Sequence, residues 1–153
     1  SHCDWSSDVC SSDLDVIPNS IVLAQAANES GWGSSRFATE YNALFGESTY
    51  NITAGIVPFE RKEGKKHLVR YFKTIDQSVE SYFININSHF AYDEFRKLRK
   101  LLRDNNNSLN VNLLVDKLDA YAADDEYVDT IISIIYDNNL TQYDNILSLL
   151  TKS

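Results

Sequence analysis

The stretch Ala24-Gln25-Ala26-Ala27-Asn28-Glu29-Ser30-Gly31-Trp32-Gly33 constrains this chain more than any other. Ile21, Leu23, Ala24 and Ala27 have the spacing of a buried helix face, and Gly31 followed by Gly33 stops that helix. One acid, Glu29, falls in the last turn, beside an indole and two glycines. The negative end of a helix dipole disfavours a carboxylate by a few tenths to about 1 kcal/mol. Partial desolvation beside Trp32 pushes the same way. A raised pKa is therefore expected at Glu29, and a Glu tuned upward keeps its proton near neutral pH and serves as a general acid. The glycines admit a polymeric ligand close to the backbone. From spacing alone a simpler account stands beside this one, a helix-end Glu that faces water.

The chain has 153 residues, enough for one domain with a real core. Its net charge of -8 and pI near 4.7 argue against a tight nucleic-acid binder, which carries the opposite sign. Nine Tyr, seven Phe and two Trp suit either a compact helical core or a carbohydrate cleft. No run approaches the ~18 consecutive apolar residues of a membrane span. Residues 1 to 14, SHCDWSSDVCSSDL, have neither helical nor strand period, and Asp4 to Leu14 look like the translation of a sequencing-library adapter. The alternative is a short disordered leader. Both cysteines, Cys3 and Cys10, lie in that tail, so the domain proper, 15 to 153, is expected to lack cysteine and to be truncated at its N-terminus.

Beyond the tail the pattern predicts a helix over about 19 to 30 and a short one near Ser34 to Thr39, capped by Ser34 or Ser35. Val57, Phe59, Leu68, Val69, Tyr71 and Phe72 alternate around Arg61 to Lys66, which predicts a hairpin with Gly64 at its turn. Pro58 makes the first arm short or an edge. A helix capped by Asp76 follows, ending near His89. Further helices are expected over Tyr92 to Leu102, with a solvated basic face, then Leu109 to Tyr121, Tyr127 to Tyr136 and Asp144 to Leu150. The expected architecture is a mainly α domain with one small β lobe. A groove should form where the lobe leans on the helices, with Glu29 facing it.

Three blocks then carry a resemblance: Leu23 to Gly33 preceded by Val16-Ile17-Pro18, Asn42-Ala43-Leu44-Phe45-Gly46, and Asn85 to Tyr92 followed by Arg96 and Arg99. Gly55-Ile56-Val57-Pro58 and Ser78 to Tyr82 add to it. Together they resemble the glucosaminidase family of peptidoglycan hydrolases (glycoside hydrolase family 73), in its Bax-type branch. The resemblance implies a lysozyme-like fold and hydrolysis of the β-1,4 bond after N-acetylglucosamine in cell-wall glycan, with Glu29 as general acid. It implies a bacterial enzyme of the cell envelope, periplasmic or secreted, acting as a monomer on a peptidoglycan strand, with no nucleic-acid partner and no cofactor.

The second catalytic group is less constrained. Paired carboxylates are common in glycosidases. Glu60 sits closest to the register in which some relatives place a second acid on this hairpin, ahead of Glu63 and then Glu47, although Pro58-Phe59-Glu60-Arg61 departs from that motif. Glu60 is otherwise a turn charge paired with Lys62 or Arg61. A substrate-assisted route through the 2-acetamido group needs no second acid. Tyr82 is a candidate sugar contact or a core residue, Trp32 stacks on a sugar or plugs the helix end, and Asn42 contacts substrate or fixes the turn backbone. His89 reads as a cap, and neither it nor His67 has metal-ligand spacing. A lytic transglycosylase and a non-catalytic glycan-binding module are the rival functions.

Overall fold

The structure is a computed structural model that describes residues 14 to 58, 64 and 66 to 145. The tail up to residue 13, the acids Glu60 and Glu63, and residues 146 to 153 lie outside the described residues. The elements in chain order are α1 (Asn19–Ser30), α2 (Arg36–Tyr41), β1 (Ser48–Thr49), β2 (Gly55–Ile56), β3 (Leu68–Arg70), α3 (Ile75–Ser88), α4 (Asp93–Asp104), α5 (Val111–Asp116) and α6 (Tyr127–Asp137). This is the mainly α chain with a small β lobe that the lysozyme-like expectation describes. Among the described residues no helix is long and apolar enough to cross a membrane.

The chain divides into two compact units, one up to Gln25 and from Phe83 onward, the other Ala26–Tyr82. In the first, Ile21, Ile86, Phe95, Leu114, Ile131 and Ile135 are fully buried, and each contributes about 1.5–3 kcal/mol by leaving water. Tyr127, Ile131 and Ile135 fall four apart and line one face of α6. Gln25 is buried with them and donates to the Tyr127 hydroxyl at 2.9 Å. The start of α1 is capped from far along the chain. Asp144 Oδ1 accepts from the Ser20 N–H and Oδ2 from Ser20 Oγ, both at 2.7 Å. A carboxylate there satisfies an orphan donor and meets the positive end of the helix.

Several expectations are corrected in this unit. The basic face of α4 is not simply solvated. Arg99 is 3% exposed, donates to the Val16 carbonyl (2.8 Å) and Asn87 Oδ1 (2.7 Å), and its Nε lies 3.1 Å from Asp15 Oδ2, short of hydrogen-bond geometry. Arg103 grips the same Asp15 with both terminal nitrogens, at 3.0 and 2.7 Å, and that hydrogen bonding pulls the Asp15 carboxyl below its usual range. Arg96 donates to the carbonyls of Ile86 and His89. The helix expected over Leu109 to Tyr121 is broken after Asp116, because Lys117 and Leu118 bond three residues back rather than four, to Leu114 and Val115. Leu140–Tyr143 is a short 3-10 turn and Asp144 caps α1, while residues 146 to 150 of the helix expected over Asp144 to Leu150 lie outside the described residues.

In the second unit the lobe is a three-stranded antiparallel sheet in the order β1-β3-β2. Ser48 pairs with Val69 and Thr49 with Leu68, while Gly55 faces Arg70 and Ile56 faces Val69. The first expected arm therefore pairs upstream of Pro58, which has no N–H to give the ladder. Thr74, not Asp76, meets the start of α3, its Oγ1 accepting from the Gln77 N–H at 3.3 Å.

Candidate functional site

Glu29 stands one residue before the end of α1, half-buried. The helix stops because the next three residues, Gly31, Trp32 and Gly33, all take left-handed φ, at 58°, 57° and 76°. The turn is closed by Trp32 N–H on the Ala27 carbonyl (2.8 Å) and Ser35 N–H on the Ser30 carbonyl (3.0 Å). The Ser30 hydroxyl, buried, donates to the Ala26 carbonyl and accepts from the Gly33 N–H at 2.8 Å. A glycine takes such φ freely, whereas a tryptophan pays roughly 1–2 kcal/mol. The result is an indole that is 64% exposed, three residues past the acid.

The Asn42 to Gly46 loop faces this helix end. Ser35 caps α2 through the Ala38 N–H, and Asn42 closes it at φ 54°. Asn42 Nδ2 donates to the carbonyls of Phe72 (3.2 Å) and Lys73 (3.1 Å). The Leu44 N–H donates to Ser78 Oγ at 3.2 Å, and Phe45 is buried and stacked on Tyr82 with 4.2 Å between rings. So fastened, the loop delivers Gly46 at φ +64° against the acid. A Cβ at position 46 would lie 2.8 Å from Glu29 Oε2, closer than real contacts allow. Gly46 itself is exposed. On the other side Asn28 Nδ2 donates to Glu29 Oε1 at 3.4 Å.

The next residue, Glu47, carries a second carboxyl, 11% exposed. Its Oε2 accepts from Ser81 Oγ at 2.6 Å and lies 3.6 Å from Arg70 Nη1, which also donates to Ser81 Oγ at 2.8 Å. Its Oε1 is buried and meets no donor among the described residues. Burial pushes this carboxyl above the ordinary glutamate range, against the Ser81 hydrogen bond and the Arg70 charge.

The family profile described as "Glucosaminidase: Mannosyl-glycoprotein endo-beta-N-acetylglucosaminidase" matches residues 8–140. The chain belongs to the glucosaminidase family. It is 32% identical to Protein bax of Escherichia coli (strain K12) over 126 residues, 82% of this chain and 44% of that protein. It is 28% identical to Exo-glucosaminidase LytG of Bacillus subtilis (strain 168) over 138 residues, 86% of this chain and 47% of that protein. The chain thus spans less than half the length of either relative. The likeness to Protein bax agrees with the Bax-type branch. No solved structure matches the chain.

Within this glucosaminidase unit the expected site residues separate. Glu29 and Trp32 share one helix end, the acid half-buried and the indole open. Trp32 does not plug the helix. Tyr82 has no exposed surface and backs Phe45, so the expected sugar contact there has no open face to act through. Both Nδ2 hydrogens of Asn42 go to backbone carbonyls, the turn-fixing alternative rather than substrate contact. Glu60 lies outside the described residues. His89 caps the Phe90–Tyr92 turn, its Nδ1 accepting from the Ala91 N–H at 3.1 Å. Among the described residues no group of His, Cys, Asp and Glu is placed to hold a metal. Two features escaped the sequence reading. The apposition of Gly46 to Glu29 has no sequence signal beyond the Phe-Gly pair. Glu47 comes third among the candidate acids in the sequence, which carries no sign of its burial against Ser81 and Arg70.

Proposed function

We propose that the chain hydrolyses the β-1,4 bond that follows N-acetylglucosamine in peptidoglycan, with Glu29 as the general acid. The observation that carries this is the helix-end carboxyl of Glu29 set against the exposed residue Gly46, in a chain of the glucosaminidase family. The cell-wall substrate rests on the resemblance of the Glu-Ser-Gly-Trp-Gly, Asn-Ala-Leu-Phe-Gly and Asn85 to Tyr92 blocks. It puts the reaction in the bacterial cell envelope.

In this reading the Glu29 proton passes to the glycosidic oxygen as the bond from C1 to that oxygen breaks. C1 takes oxocarbenium character, and a water oxygen bonds to it. The proton lost by that water goes to Glu60; in the other route the substrate's acetamido oxygen attacks C1 first, and water then bonds to C1, breaks the bond to that oxygen and gives its proton to the Glu29 carboxylate. Glu60→Gln separates the two routes, since it abolishes turnover only in the first. The open Trp32 ring offers one apolar face to a sugar, while Asn42 and Tyr82 hold the wall behind the acid.

The family description supports endo cleavage and the name of the Bacillus subtilis relative supports exo cleavage. Product analysis of digested glycan strands tests all of this at once. Long fragments ending in reducing N-acetylglucosamine support an endo-glucosaminidase. Release of single terminal sugars makes the activity exo. Anhydromuramic ends mean a lytic transglycosylase instead, and binding with no new ends means a glycan-binding module.

A further inference from the structure

Gly46 has no side chain to anchor it, is exposed, and sits at a φ open mainly to glycine. Such a residue is the freest in a chain, yet here it defines one wall of the Glu29 carboxylate. Something beside it must hold it. Phe45 does so on one side through the Tyr82 stack. On the other side Glu47 is tied to two elements. Its carboxyl meets Ser81 of α3 and Arg70 of β3, and its carbonyl accepts the Arg70 N–H at 2.8 Å.

We propose that Glu47 is a positioning residue for Glu29, bound to α3 through Ser81 and to β3 through Arg70 so that Gly46 stays against the acid. An apolar side chain would fill the same space without burying a carboxyl that, among the described residues, leaves one oxygen without a donor. What it would lack is an acceptor for Ser81 and a charge opposite Arg70. The wall behind Glu29 is then not packing alone. It is a polar tie whose loss loosens the corner while the core residues Phe45 and Tyr82 stay in place.

The kinetic part of the test rests on the reading of Glu29 as the acid, and the spectroscopic part does not. In the labelled full chain the Gly46 Cα resonance follows the titration of Glu29, identified as the pH dependence that Glu29→Gln removes. Glu47→Ala weakens that dependence and Glu47→Gln, which keeps an acceptor for Ser81, restores it. An unchanged dependence in Glu47→Ala overturns the proposal. On glycan strands Glu47→Ala lowers kcat about 10- to 100-fold with KM near the wild-type value, since a 1 Å misplacement costs on that order. Glu47→Gln recovers most of it. A Glu47→Gln protein as inactive as Glu47→Ala, with one limb of its pH profile gone, overturns the positioning role in favour of proton exchange by Glu47 itself. Should Glu47→Ala fail to fold, Ser81→Ala breaks the same tie and must show the same weakened Gly46 dependence. A wild-type chain with no turnover refutes the glucosaminidase reading, and the Gly46 resonance still decides this one.

Discussion

Substituting Gly46 by alanine should separate stability from activity. The added methyl meets two obstacles. The backbone is at φ +64°, where an L side chain costs about 1–2 kcal/mol. The Cβ would also stand 2.8 Å from Glu29 Oε2 and 3.6 Å from its Cδ. The first cost falls on the fold. For a chain of this size, 1–2 kcal/mol lowers the melting temperature by roughly 2–8 °C. The second is relieved cheaply, because Oε2 is the end of a flexible side chain. It need only retreat by about half an ångström to reach ordinary van der Waals separation. That retreat moves the acid off its position. A displacement of that order is expected to cost about 10- to 100-fold in kcat. Thermal unfolding by circular dichroism reads the first effect, and release of reducing ends from purified peptidoglycan reads the second. A Gly46→Ala protein that melts lower but turns over at the wild-type rate would refute the idea that this contact places the carboxylate.

Trp32→Gly should leave stability unchanged or raise it by up to about 1 kcal/mol, because relief of the left-handed strain outweighs the added freedom of the unfolded chain. Its affinity for glycan should fall by about tenfold, measured by titration with soluble strands, from loss of an aromatic contact. Lower stability with intact binding would make Trp32 a structural residue. Arg99→Met should destabilise the fold by about 2–3 kcal/mol in denaturant titration, since it strands the Val16 carbonyl and Asn87 Oδ1 and leaves Asp15 to Arg103 alone. A loss under 1 kcal/mol or so would mean water replaces the guanidinium. Glu47, raised in the fold, binds protons more readily there than in the unfolded chain. Its contribution is complete below the ordinary glutamate value and lost as pH rises through the folded value, at about 1.4 kcal/mol for each unit of the rise. Glu47→Gln should remove that downward slope, so its stability relative to wild type improves with pH, and parallel profiles would deny the burial effect.

How much of this was legible in the sequence depends on how local each interaction is. The bounds of α1 follow from the apolar spacing of Ile21, Ala24 and Ala27 and from Gly31, all within one helix. That Trp32 shares the left-handed turn was not legible, because the residue type argues against it. β1 escaped because Ser48 and Thr49 carry no alternation, and their pairing comes from β3 twenty residues on. Arg99 read as part of a solvated basic run, yet Asp15, Val16 and Asn87 make its burial possible, and Asp15 and Val16 lie more than eighty residues back. That Asp144 caps the start of α1, 124 residues earlier, had no local signal. Glu29 stands out as the candidate acid in the sequence because its signal is compressed into five consecutive residues. Glu47 was undervalued because its partners, Arg70 and Ser81, come from other elements.

The central claim is that Glu29 gives its proton to the glycosidic oxygen. Glu29→Gln keeps the size and the Asn28 contact but has no proton of that acidity to donate. The rate of reducing-end release from peptidoglycan should fall by about 10²- to 10⁴-fold, with the circular dichroism spectrum and melting profile essentially those of the wild type. A Glu29→Gln protein that folds and still cuts glycan within tenfold or so of the wild-type rate would contradict it.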